Sequence, residues 1–154
     1  MSAAFRQRGG GWVLIQFILM FAVLGLGPWL RSGWENGFTL ALGLTLLSVS
    51  ALTGLTGVRD LGGNRTAFPQ PNDNAPLITT GIYGRVRHPL YVSVMAFSFA
   101  WALLWASTAA LAAAVASAIF LNLKARHEER LLREKFPEYD TYARRVKRFV
   151  PGVY

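Results

Sequence analysis

Three long runs of this chain carry no charged side chain: residues 12–30, 37–58 and 89–123. A helix needs roughly 20 apolar residues to cross the hydrocarbon of a bilayer. The first two runs therefore each predict one membrane-crossing helix. The third has 35 residues, too long for one straight crossing and barely enough for two joined by a tight turn. Trp105-Ala106-Ser107-Thr108 is the predicted turn, an interfacial Trp followed by Ser/Thr able to cap the next helix. Its second leg is rich in alanine (Ala109, Ala110, Ala112, Ala113, Ala114, Ala116, Ala118), and small side chains let membrane helices approach closely. The pattern predicts a single domain over 1–154, an all-α integral membrane protein with about four transmembrane helices. The spans are about 12–30, 37–58, 89–105 and 107–123, with a loop at 59–88 and a tail at 124–154. Arg6 and Arg8 resemble the start of a signal peptide, but the first apolar run is too long and lacks a small-residue exit, so it reads as a retained span.

Composition supports this. The chain is 53% hydrophobic and 16% charged, against about a quarter charged in soluble domains. Cysteine is absent, which excludes disulfides, thiolate metal sites and a cysteine nucleophile. Two histidines, His88 and His127, are too few for most metal cages, so no metal is expected. Of the 16 basic residues, all but Arg31 fall on one side of a four-span topology. Arg6, Arg8, Arg59, Arg65, Arg85, Arg87 and the tail then face the cytoplasm, with both termini there. The net charge of +8 is explained by topology and attraction to anionic lipid, and calls for no nucleic-acid partner. Arginine outnumbers lysine thirteen to three, which with the alanine content suggests a bacterial protein, placed in the cytoplasmic (inner) membrane.

The spans hold no ionisable residue, which argues against a proton-coupled or charged-substrate transporter. Chemistry is thus expected in the loop and tail. Pro69, Pro71 and Pro76 forbid a continuous helix through the loop. Gly81 and Gly84 allow positive φ or close approach, and Pro89 suits the first position of the third span. Arg87 and His88 then sit at a helix N-terminus, where free N–H groups suit an anion. The ordinary reading of the pair, favoured on pattern alone, is as interfacial anchors beside a helix cap. In the tail, Leu131, Leu132 and Phe136 form an apolar stripe, and Pro137 ends the helix. Tyr139, Tyr142 and Phe149 can pack back as a lid. Glu128 and Glu129 read by default as a solvated helix face, although Glu128 lies so near the membrane exit that its carboxylate is costly unless it meets a cation.

Together, Gly81-Ile82-Tyr83, Arg87-His88-Pro89-Leu90-Tyr91, Glu128-Glu129 with Leu132, then Phe136, Tyr139, Tyr142 and Pro151-Gly152 resemble the isoprenylcysteine carboxyl methyltransferase family. That family lies within the wider group that includes phospholipid methyltransferases. The resemblance covers about 59–154, and it implies a methyltransferase that uses S-adenosylmethionine (SAM) and releases S-adenosylhomocysteine. By motif position the cofactor would touch Pro76, Leu77, Ile78, Tyr83, His88, Pro89, Leu90, Tyr91 and Glu128. Arg87, His88 and Glu128 are the implied catalytic residues. Arg87 and the helix terminus would hold the methionine carboxylate, and Glu128 would accept from the amino group or the ribose. His88 would serve as a cofactor contact and, secondarily, as a base. The isoprenylcysteine enzymes serve their substrate carboxylate with an arginine one turn before the glutamate. Here Lys124 takes that place, with Arg126 beside it, and lysine lacks the bidentate fork. The resemblance therefore points to another lipophilic small-molecule or lipid-linked acceptor, entering from the membrane lipid and oriented by Lys124 or Arg126. Two other readings remain on the sequence: a non-enzymatic small membrane subunit or scaffold, and a membrane reductase of related fold.

Overall fold

A computed structural model describes residues 9–64, 66–70 and 75–154. Arg6, Arg8, Arg65 and Pro71, which entered the charge count and the loop reading, lie outside the described residues. The chain forms α1 (Gly10–Trp29), α2 (Gly37–Leu61), α3 (Pro89–Leu104), α4 (Thr108–Lys135) and α5 (Tyr139–Arg145). Short 3-10 turns lie at Gly62–Asn64 and Gly81–Gly84. Only an isolated parallel bridge, Val86 to Lys147, has β character among the described residues.

The first four helices run up and down, in accord with the four-span reading. α1, α2 and α4 are long and apolar enough to cross a membrane, and α3 is shorter. At 1.5 Å per residue its 16 residues reach roughly 24 Å, short of a hydrocarbon core of about 30 Å. α4 has 28 residues and runs on beyond the membrane as a single helix through Lys135. The exposed side chains of the bundle are those of a lipid-facing surface: Ile18, Phe21, Leu40, Leu52, Leu55 and Ile119 all stand open.

Each turn has a local cause. Asn36 caps α2 by accepting from Phe38 N and Thr39 N, while the Thr39 hydroxyl accepts from Asn36 N. Ser107 caps α4, accepting from Ala110 N at 3.2 Å, and its hydroxyl donates to Leu26 O at 3.1 Å. The predicted turn at 105–108 is thus where the hairpin reverses, with Ala106 at φ 46°.

α2 packs mainly along α3, through small residues. A Cβ on Gly54 would come within 2.6 Å of Ser93 Oγ, and one on Gly57 within 2.9 Å of Leu90. Ser50 and Ser93 donate to one another's carbonyls at 2.9 and 2.8 Å. α1 lies against α3 and α4, with Trp12 stacked on His127 at 5.3 Å. This arrangement leaves the 59–88 loop and the tail at the same end of the bundle.

Candidate active site

At that end the start of α3, the loop and the outer part of α4 enclose a pocket of about 860 Å³, counted out to its open mouth. Its walls include Pro76, Leu77, Ile78, Tyr83, Arg87, His88, Pro89, Leu90, Tyr91 and Glu128. The loop and both tail motifs therefore meet although some forty residues separate them in sequence. Leu132 and Phe136 of the apolar stripe, with Tyr139 and Tyr142, complete the walls.

The loop is held at two points. Gly81 has φ +61°, and a Cβ there would lie 2.1 Å from Asp60 Oδ2. Only glycine fits both demands. Asp60 Oδ2 accepts from Ile82 N at 2.8 Å, fixing the 3-10 turn that carries Tyr83 to the end of α2. That bond, with Arg59 beside it, holds the Asp60 carboxyl below its usual range. On the other side the Tyr142 hydroxyl donates to Tyr83 O at 2.6 Å. Burial, with the charges of Glu128 and Asp60, pushes the Tyr83 phenol well above its ordinary range, so the phenol stays protonated.

Glu128 sits in the wall with one close partner, the Tyr91 hydroxyl, which donates to Oε2 at 2.7 Å. His88 Nδ1 lies 3.8 Å from the same oxygen, and the His88 and Tyr91 rings stack at 5.2 Å.

Residues 38–139 match the phospholipid methyltransferase family. The chain belongs to that family. It is 31% identical over 150 residues to the cobalt-zinc-cadmium resistance protein CzcN of Cupriavidus metallidurans, covering 96% of this chain and 65% of that protein. It is 30% identical to the nickel-cobalt-cadmium resistance protein NccN of Alcaligenes xylosoxydans xylosoxydans, covering 96% and 66% respectively. The chain thus spans about two thirds of the length of these curated relatives. A multi-pass membrane fold, membership of a phospholipid methyltransferase family and bacterial relatives all agree with the sequence reading.

Within this family member the structure departs from several expected roles. Glu129 is no solvated residue. It is 1% exposed and forms the hub of an ion cluster. Arg87 donates to Oε1 from Nε at 3.1 Å and from Nη2 at 2.8 Å. Arg148 donates to Oε1 and Oε2 at 2.9 and 2.8 Å. Burial alone would raise Glu129, but hydrogen bonds from Arg148, His88 and Arg87 outweigh it and hold the carboxyl well below its usual range.

Arg87 was expected to grip an anion. It lines the pocket, but its guanidinium is committed: beyond Glu129, Nη1 donates to Ala143 O at 3.0 Å and to Val146 O. The helix terminus is also largely occupied. Arg87 N donates to Lys147 O at 2.9 Å and His88 N to Arg148 O at 3.1 Å, and Pro89 has no N–H.

Lys124, expected at the acceptor, is 1% exposed and does not line the pocket. Its ammonium donates to Gln16 Oε1 at 2.6 Å and Ala67 O at 2.9 Å, and lies 5.4 Å from the Tyr91 ring centre. It ties α1 and the loop to α4 behind the pocket wall, where burial pushes its pKa down. Arg126 is exposed and does not line the pocket. The residues that sequence reasoning passed over are Asp60, Glu129 and Arg148. Only Glu129 had a signal, its place beside Glu128 in the family motif.

Proposed function

We propose that this protein is a SAM-dependent methyltransferase that modifies a lipophilic or lipid-linked acceptor at the cytoplasmic face of a bacterial inner membrane. The observation that carries the reading is the pocket itself. All nine residues expected to touch the cofactor, from Pro76 to Glu128, line one cavity, although they come from two distant stretches of sequence.

The cavity suits the cofactor chemically. Apolar and aromatic walls from Leu77, Ile78, Tyr83 and Tyr91 fit an adenosyl group and favour a sulfonium. The carboxyl oxygens of Glu128 offer acceptors, which fits an amino group or ribose hydroxyls. With Arg87 committed elsewhere, the Leu90 amide takes over the anion-facing role: of the first-turn amides of α3, it alone bonds to no other described residue. When bound, the cofactor supplies an electrophilic methyl group. The chain's own residues position the acceptor and exclude water, and such orientation is worth up to about 7–11 kcal/mol in well-aligned systems. The acceptor enters sideways from lipid, since the pocket is lined by the first residues of α3 and by Glu128, next to the predicted spans.

The two relatives are named for metal resistance. A role shared with them would run through methylation of the acceptor. The test is calorimetric titration of SAM and S-adenosylhomocysteine into the detergent-purified protein, with Glu128→Ala and His88→Ala alongside. Micromolar binding that disappears in both variants is expected. A folded wild-type protein that binds neither compound refutes the enzyme reading and leaves a scaffold in its place.

A further inference from the structure

Glu129 has a geometry that the methyl-transfer reading alone leaves without a role. Its oxygens face two guanidinium groups, so it is ionised, and an ionised carboxylate has lone pairs but no proton to give. His88 Nε2 lies 3.2 Å from Glu129 Oε1. The hydrogen in that contact must therefore sit on Nε2. In a neutral imidazole the other nitrogen then carries the lone pair.

That second nitrogen, Nδ1, is on the Glu128 side of the ring, 3.8 Å from Glu128 Oε2, beyond hydrogen-bond distance. The same oxygen already takes the Tyr91 hydroxyl. The ring cannot swing freely: it is stacked on Tyr91 with planes 4° apart, has Phe149 at 6.0 Å, and its residue's amide is bonded to the 146–149 segment. Arg148 comes from that same segment and grips Glu129 with two parallel hydrogen bonds, from Nε and Nη2 of its guanidinium. The charged or titratable groups facing the ring are Glu128 and Glu129 of α4, Tyr91 of α3, Arg87 just before α3, and Arg148 of the tail.

We propose that Glu129, clamped by Arg148, is a positioning residue that holds His88 as the Nε2–H tautomer, leaving Nδ1 as the proton acceptor of the pocket. The site then serves acceptors that lose a proton on methylation (a thiol, hydroxyl or neutral amine, written X–H) rather than a carboxylate. This rests on the methyltransferase reading. On transfer, the X–H proton passes to His88 Nδ1 and a bond forms between X and the methyl carbon. The carbon–sulfur bond of the donor breaks with its electron pair left on sulfur. His88 ends the step as an imidazolium between two carboxylates and returns its proton to solvent. The committed cations agree with this acceptor class, since Arg87 and Lys124 are each engaged away from an acceptor carboxylate.

The chain has two histidines, which makes the test direct. Full-length protein is labelled with 15N-histidine and carries His127→Gln, so that His88 is the one ring observed. Nitrogen NMR at neutral pH is expected to show a protonated Nε2 and a bare Nδ1. In Glu129→Gln the signal should move toward a mixture of tautomers. Arg148→Lys, which keeps the charge but loses the bidentate grip, replaces it if Glu129→Gln does not fold. A wild-type ring protonated on Nδ1, alone or together with Nε2, overturns the proposal. So does an unchanged spectrum in a folded variant. Titration of S-adenosylhomocysteine into the same samples separates the two ideas: absent binding refutes the methyltransferase reading while the tautomer result stands by itself.

Discussion

Glu129→Ala removes the centre of the ion cluster and should destabilise the fold far more than the same change one residue earlier. Glu129 is 1% exposed, and the side chains of its partners Arg87 and Arg148 are 9% and 16% exposed. Four guanidinium hydrogen bonds between 2.8 and 3.1 Å converge on it. Taking away one partner of a buried pair leaves the other charge uncompensated, at about 3–5 kcal/mol. Here two cations are stranded together, although Arg148 keeps Asn122 and the Tyr154 hydroxyl as partners, so the expected loss stays in that range. Glu128→Ala gives up a single hydrogen bond at a half-buried site, about 1 kcal/mol net. Unfolding in detergent, followed by circular dichroism, measures both. The two variants should also separate in binding: Glu128→Ala folds but loses SAM, and Glu129→Ala fails first in stability. A Glu129→Ala protein within about 1 kcal/mol of wild type, below any buried-pair loss, refutes the view that the cluster holds the tail to the bundle.

Further tests follow from the same geometry. Because the folded-state pKa of Glu129 is depressed, its stabilising effect is fully present above the unfolded carboxylate value of about 4.3 and is lost as pH falls toward the folded value. The stability gap between wild type and Glu129→Gln should thus be flat from about pH 5.5 to 8 and close below about pH 4.3, read from melting temperatures across that range. Gly81→Ala forces a Cβ onto Asp60 at φ +61° and should cost about 1–3 kcal/mol, with weaker cofactor binding by calorimetry. The absence of cysteine gives a clean background for topology: in intact cells a membrane-impermeant maleimide should label Glu35→Cys but not Glu138→Cys. The reverse pattern refutes the proposed orientation.

The membrane fold was legible because its cause is local. Runs without charge, a Ser at the start of α4 and a Pro at the start of α3 each act over a few residues. The sequence therefore located the four long helices and the hairpin turn to within a few positions at most ends. The pocket was legible for a different reason, since its lining residues are the motif residues themselves. Partner choice was not legible. Lys124 and Glu128 share a helix face, and four-residue spacing suggests that they meet, yet the ammonium turns to Gln16 and Ala67. Two neutral oxygens from distant elements win because α1 and the loop close over that side of α4 and deny the lysine any route to solvent. Arg87 shows the same thing in reverse. Its position at a helix start suggests an anion site, but the tail returns parallel to residue 86 and brings Arg148, Ala143 and Val146 to the same spot. A carboxylate is needed there to balance two guanidinium groups, and Glu129 is the one that points inward. Adjacent glutamates on a helix lie about 100° apart (3.6 residues per turn), so only one can face the cluster while the other faces the pocket. That division between a structural and a chemical carboxylate is set by the return path of the tail, which no local pattern in the sequence encodes.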